Sequence, residues 1–269
     1  MGRLRLASAA LAVAGCSLVV DTSDLTGGDA PPRDAGPTPF AAAPDGGDAG
    51  DSAVPDADAQ PAEAGFHDGF DRPDSDALGY GWTEKTPGAF TLEAGRVVKL
   101  ATTTSYRDNM VYRPSSEDAR DVEASIEVHV GAPVQFPQIF VRAQRATISD
   151  SGSYDGYLLY LQNSATKAIL GRQRGSAFVV TLATLDLAPA LDPAVRHRLR
   201  LSAQGTSPVE LEAYVERLEG GAWKPNGRAT FSDAAPERIA EAGAVGFAAN
   251  EAATPVYDDF RWRPLAPPP

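Results

Sequence analysis

Cysteine is all but absent: the chain of 269 residues has one, Cys16. No disulfide can form within it, and no thiolate pair is left to hold a metal. Histidine is scarce as well. His67, His129 and His197 lie far apart, at no spacing that a metal site uses. The apolar stretch near the start, Leu6 to Ala14, is too short to cross a bilayer as a helix, which takes about 20 residues. No basic stripe is present, and the formal net charge is −12. That balance argues against a nucleic-acid partner, whose phosphates call for clustered Lys and Arg. A Gly-x-Ser-x-Gly elbow, a phosphate loop and a dinucleotide fingerprint are all missing. Long helical periodicity is missing too. The best short stretch, Ala234 to Ala242, is interrupted early by Pro236 and has a weak apolar face.

What is present begins with Arg3 and Arg5, the apolar run, and then Val13-Ala14-Gly15-Cys16. A charged start, an apolar middle and small residues at the end make a secretory signal. The four-residue ending resembles the lipobox of bacterial lipoproteins. The resemblance implies that residues 1–15 are removed and that Cys16 becomes the acylated first residue of the mature chain. It also implies a cell-envelope location. Ser17 after the cysteine resembles the outer-membrane sorting pattern of some Gram-negative bacteria.

Residues 16–65 then read as a tether. Between Ser17 and Gly65 stand ten acids and one base, Arg33, with Phe40 the lone aromatic. Asp, Ala, Pro and Gly dominate, and such a composition buries too little apolar surface to offset the entropy of ordering. The expectation is a disordered, extended spacer.

From Phe66 the pattern changes to aromatic and apolar residues alternating with polar ones, punctuated by Gly and Pro. Val122, Ala124, Ile126 and Val128 alternate with Glu123, Ser125, Glu127 and His129. Leu199, Leu201 and Ala203 alternate with Arg198, Arg200 and Ser202. Val209, Leu211, Ala213 and Val215 alternate with Glu210, Glu212, Tyr214 and Glu216. Period two predicts strands with one wet face. Further strands are expected at 138–145, 157–162, 167–173, 178–185, 244–249 and 256–263. Short strands at close spacing predict an all-β, two-sheet antiparallel jelly-roll sandwich over residues 66–264.

Several phrases in this region line up in order: Gly69-Phe70-Asp71-Arg72, Gly79-Tyr80-Gly81-Trp82, Ile139-Phe140-Val141-Arg142-Ala143, Gly156-Tyr157-Leu158-Leu159-Tyr160-Leu161, and Val245-Gly246-Phe247 before Tyr257-Asp258-Asp259-Phe260. Together they resemble the concanavalin A-like lectin/glucanase superfamily in its laminin G-like bacterial branch. The resemblance implies two stacked, curved sheets, with ligand lying across a concave face.

Parity along two of the strands proposes where a ligand would rest. Val141 and Ala143 share one side, as do Leu159 and Leu161, so Arg142, Gln144, Tyr160 and Gln162 are expected on the other, with Arg172 beside them. Planar donors around an aromatic ring suit a sugar. Glucanases of the resembled superfamily carry three carboxylates on one strand. Here Glu210, Glu212 and Glu216 have the wrong spacing and face Arg198 and Arg200, as in an ordinary charge ladder. A non-catalytic glycan-binding module is therefore expected. The alternatives are a glycoside hydrolase with an unrecognised carboxylate pair, and a structural or adhesive surface domain. Related folds hold a structural calcium between the domain's ends, which makes Asp71 and Asp258 the expected Ca²⁺ ligands.

Overall fold

The computed structural model describes residues 65–101, 109–130, 136–149, 153–162, 164–175, 179–250 and 254–266. The signal peptide, Cys16 and the tether lie outside them. The strands run in the order β1 (Phe66–Asp68), β2 (Thr83–Glu84), β3 (Phe90–Glu93), β4 (Arg96–Lys99), β5 (Asn109–Tyr112), β6 (Val122–His129), β7 (Gln138–Ala143), β8 (Gly156–Leu161), β9 (Lys167–Gln173), β10 (Val180–Asp186), β11 (His197–Gln204), β12 (Val209–Glu219), β13 (Ala222–Asp233), β14 (Ala244–Ala249) and β15 (Val256–Pro264). Only two short 3-10 turns interrupt this all-β order among the described residues.

Two antiparallel sheets result. One has eight strands in the order β13-β12-β11-β6-β15-β4-β3, with β1 added alongside β15. The other has seven, in the order β10-β9-β8-β7-β14-β5-β2. The apolar residues of the period-two strands all turn inward. Val122, Ala124, Ile126 and Val128 meet Leu199, Leu201 and Ala203, then Leu211, Ala213 and Val215. Ile139, Val141, Tyr157, Leu159, Leu161 and Leu170 face them from the second sheet. Each Val, Leu or Ile among them, taken wholly out of water, contributes about 1.5–3 kcal/mol. Phe247 sits in an aromatic nest with Trp82 at 5.2 Å, Tyr257 at 4.8 Å and Phe70 at 6.3 Å between ring centroids. The phrases that carried the family resemblance are thus largely core residues.

One feature departs from expectation. Strand β13 was not anticipated, because Pro225, Asn226 and Gly227 interrupt its alternation. It nonetheless pairs with β12 along its whole length, through a register shift at Val215/Glu216. Residues 234–242 form turns and bends rather than helix, as Pro236 and the weak apolar face foretold.

Candidate functional site

The expected ligand face does not assemble as parity predicted. Opposite β7, strand β14 pairs Ala244 with Ala143 and Gly246 with Phe140, so Val141 and Arg142 together oppose the single residue Val245. This is a β-bulge, and Arg142 sits in it with φ +54°. One extra residue resets the alternation. Val141 still faces the main core, but Ala143 joins the outward cluster instead. Arg142 is fully buried. Its guanidinium donates to the carbonyls of Arg120 (2.6 Å), Ile239 (2.8 Å) and Gly205 (2.8 Å), 3.6 Å from Asp121. It pins three loops and does not face solvent.

The other expected residues divide. Gln144 donates to the carbonyls of Arg142 (3.0 Å) and Ala242 (3.1 Å). Arg172 shares the inward parity of Leu170 and is buried against Asp233, with both carboxylate oxygens at 2.7 Å. Tyr157 donates its hydroxyl to the same carboxylate (2.8 Å) and accepts from the Ile239 N–H (2.9 Å). Burial, reinforced by that carboxylate, pushes the Tyr157 phenol well above its usual range. Tyr160 does face outward, half-buried, beside Phe136 at 6.3 Å. Gln162 follows on the same parity, half-buried. The structure therefore leaves Tyr160 and Gln162 on the expected face and removes Arg142 and Arg172 from it. Around Tyr160 that face is apolar: Phe140, Leu158, Met110, Ala143 and Ala248 form a second cluster, closed over by Tyr154.

The expected calcium pair does not fit either. Asp71 is exposed, and its carboxylate lies beside Gly69 and Gly95. Asp258 faces the Arg96 guanidinium at 3.7 Å and accepts its neighbour's N–H. Burial raises the Asp258 carboxyl above its ordinary value. Among the described residues, no three His, Cys, Asp or Glu side chains converge as a cation would need. Asp68, the buried acid of β1, is instead committed to Arg72 (2.6 and 3.1 Å), the Trp82 indole (2.9 Å) and the Phe70 N–H (2.8 Å). Burial opposes its charge, but these donors outweigh burial and hold its carboxyl below the usual range.

A different surface carries the polar groups. On the outer face of the eight-stranded sheet, the strand register sets His67, Arg261, Ser125, Arg200, Tyr214 and Arg228 in one cross-strand row. The next row runs Arg263, Glu123, Ser202, Glu212. Over the β1, β15, β6 and β11 part of these rows lies a cleft of about 560 Å³. Its floor is Ala124 and Ser125, where a small side chain separates two arginines. Its walls include His67, Arg261, Arg198, Arg200, Glu123 and Glu216; Phe66 and Trp262, in register with core-facing Ala124, turn their rings to the other side of the sheet, against the core. The wall groups hold one another in place: Arg198 on Glu216 at 2.7 Å, Arg200 on Glu123 at 3.2 Å, and Arg263 on Glu123 at 3.2 Å. Glu212 binds Arg228 at 2.9 Å and accepts from the Tyr214 hydroxyl at 3.2 Å; Glu210 accepts from Ser232 at 2.8 Å. Of the three acids that a glucanase comparison singles out, Glu212 and Glu216 are thus members of a charge ladder, and Glu210 is tied to Ser232. Sequence reading identified the ladder. It missed the cleft, because His67 and Arg261 come together there only through the pairing of the first and last strands.

No family model matches the chain, and no curated protein sequence matches it. Solved structures do share its architecture. A protein of unknown function with a galectin-like fold from Bacillus subtilis superposes with a TM-score of 0.52 at 14% identity, covering 76% of this chain and 96% of the other. The exoplasmic/lumenal domain of VIP36 gives 0.51 in its Ca²⁺/Man2-bound form and 0.50 in its Ca²⁺-bound form. Identity is 10% for both, over 76% of this chain and 89% and 91% of those chains. At these identities the likeness is one of fold: a galectin-like sandwich of two antiparallel sheets.

Proposed function

We propose that this chain is a non-catalytic glycan-binding module, anchored through acylated Cys16 and held off the cell envelope by its acidic tether. The Arg- and Glu-lined cleft on the eight-stranded sheet carries this reading. A sugar hydroxyl both donates and accepts, and the cleft offers guanidinium forks beside carboxylates that are already fixed in position. Fixed groups lose little side-chain entropy on binding. The outward Tyr160 and Gln162 are proposed as a secondary contact, since their surroundings are apolar. The fold likeness to a domain with a Ca²⁺/Man2-bound form agrees with a sugar ligand, although the cation ligands expected here do not converge.

A glycan-array screen of the mature chain tests the reading, with Arg261→Gln/Arg263→Gln as the cleft variant. Both side chains are exposed, so the fold should survive. Selective glycan capture that the variant loses is the expected result. No capture by the unaltered chain overturns the reading, and turnover of a captured glycan would favour a glycoside hydrolase instead. For the anchor, Cys16→Ser should move the protein from the membrane to the soluble fraction; unchanged partition removes that part of the reading.

A further inference from the structure

The segment Gly79-Tyr80-Gly81-Trp82 is a tight turn, closed by the Trp82 N–H on the Gly79 carbonyl at 2.9 Å. Its central residues have φ +51° (Tyr80) and +77° (Gly81), the pattern of a type I′ turn. Gly, Asn or Asp ordinarily fill these positions, because a Cβ is crowded at positive φ. A tyrosine at the first of them is therefore strained. Burial does not account for it: Tyr80 is 72% exposed, the most exposed large hydrophobic residue of the described chain.

The strained ring is also held from behind. The Arg72 guanidinium lies 4.7 Å from the Tyr80 ring centroid. Arg72 is itself fixed by two bonds to buried Asp68 and one of 2.7 Å to the Leu78 carbonyl. The Tyr80 carbonyl accepts from Arg113 at 2.7 Å, and the Arg113 guanidinium lies 3.6 Å from the centre of the core-packed Phe66 ring. Backbone and ring are both braced, and the brace is rooted in the core.

We infer that Tyr80 is a ligand-contacting residue, a pre-positioned stacking platform for a pyranose ring of a glycan; this rests on the glycan-binding reading. Strain that packing does not repay is kept where a side chain must be presented in one orientation. One braced ring with an open face matches the flat C–H face of a single sugar. A protein partner would call for a broader apolar patch, and the other large exposed apolar side chains described, Leu100 and Val180, sit on other elements. Pre-positioning also removes the ordering cost at the moment of binding.

The test is Tyr80→Asn in the mature chain, with Tyr80→Phe beside it. Asn suits the first central position of a type I′ turn and has no ring. Affinity gel electrophoresis with mannan, laminarin and polygalacturonate reads binding, and thermal midpoints read folding. Tyr80→Asn is expected to keep or raise the midpoint while weakening retention about tenfold, the scale of one aromatic stacking contact. Tyr80→Phe should retain as the unaltered chain does. A midpoint several degrees lower in Tyr80→Asn would make the ring a prop for Arg72 and overturn the inference. Unchanged retention in Tyr80→Asn, with loss in the Arg261→Gln/Arg263→Gln variant, would overturn it and leave the glycan reading standing. If the unaltered chain is retained on none of the three and captures nothing on the array, the glycan reading fails and this inference with it.

Discussion

The outward face of the eight-stranded sheet carries Glu123, Arg200, Glu212, Tyr214 and Arg261, whereas the outward face of the seven-stranded sheet carries Met110, Phe140, Leu158 and Ala248. Both sheets turn a similar apolar surface toward the shared core. The sequences differ accordingly. In the first sheet, strands β6, β11 and β12 alternate strictly. In the second, Ile139-Phe140-Val141, Tyr157-Leu158-Leu159-Tyr160-Leu161 and Ala168-Ile169-Leu170 are nearly continuous apolar runs, as expected where a sheet is buried on both faces. Alternation therefore marks the face that meets water and solutes. A continuous run marks a strand with no wet side, whatever polar residue interrupts it.

Removing Arg142 should have the largest effect. Arg142→Leu leaves the buried Ile239 carbonyl and the part-buried carbonyls of Arg120 and Gly205 without their donor, and the bulge without its anchor. Each buried acceptor stranded in this way costs about 1–3 kcal/mol. Urea denaturation of the variant measures it. A loss under about 1 kcal/mol, the scale of an exposed pair, would erase the distinction between this arginine and those of the outer ladder.

The architecture was legible because most strands kept their period, and because Gly and Pro marked the turns between them. The site was less legible, for three physical reasons. Parity locates a side chain only while the ladder is regular, and the bulge at Arg142 adds a residue that composition does not signal. Arg172 looked like a surface group until Asp233, on the unanticipated β13, was found across from it. The cleft needs residues about 140–200 positions apart, His67 with Arg261 and Glu123 with Arg263, and no local pattern announces such a meeting. Tyr80 stood within a phrase noted in the sequence, but its strain is a property of the turn that only coordinates show.

The second cluster gives the next effect. Leu158 is buried on the outward side of β8, under the same roof as Phe140 and Tyr154. Leu158→Ala should cost about 2–5 kcal/mol, as for a residue of the main core such as Leu159. Chemical denaturation of the two alanine variants compares them directly. If Leu158→Ala costs much less than Leu159→Ala, the outward cluster is a loosely covered patch and the contrast between the faces weakens.

The smallest effect belongs to the ladder. Arg228 and Glu212 are 2.9 Å apart, with side chains 56% and 44% exposed. Water screens their attraction, and two flexible side chains must be ordered to hold it. A double-mutant cycle with Arg228→Ala and Glu212→Ala should therefore give a coupling of about 0.2–1 kcal/mol, shrinking as salt is added. Tyr214 complicates the single variants, since it donates to Glu212 and lies under Arg228 with the ring centroid at 5.1 Å. The cycle cancels those shared contacts to first order, which is why the coupling is the quantity to measure. A coupling above about 2 kcal/mol that salt leaves unchanged would mean that this pair is shielded from water. The outer face of the eight-stranded sheet would then resemble the buried Arg172–Asp233 pair more than an open, sugar-accessible surface.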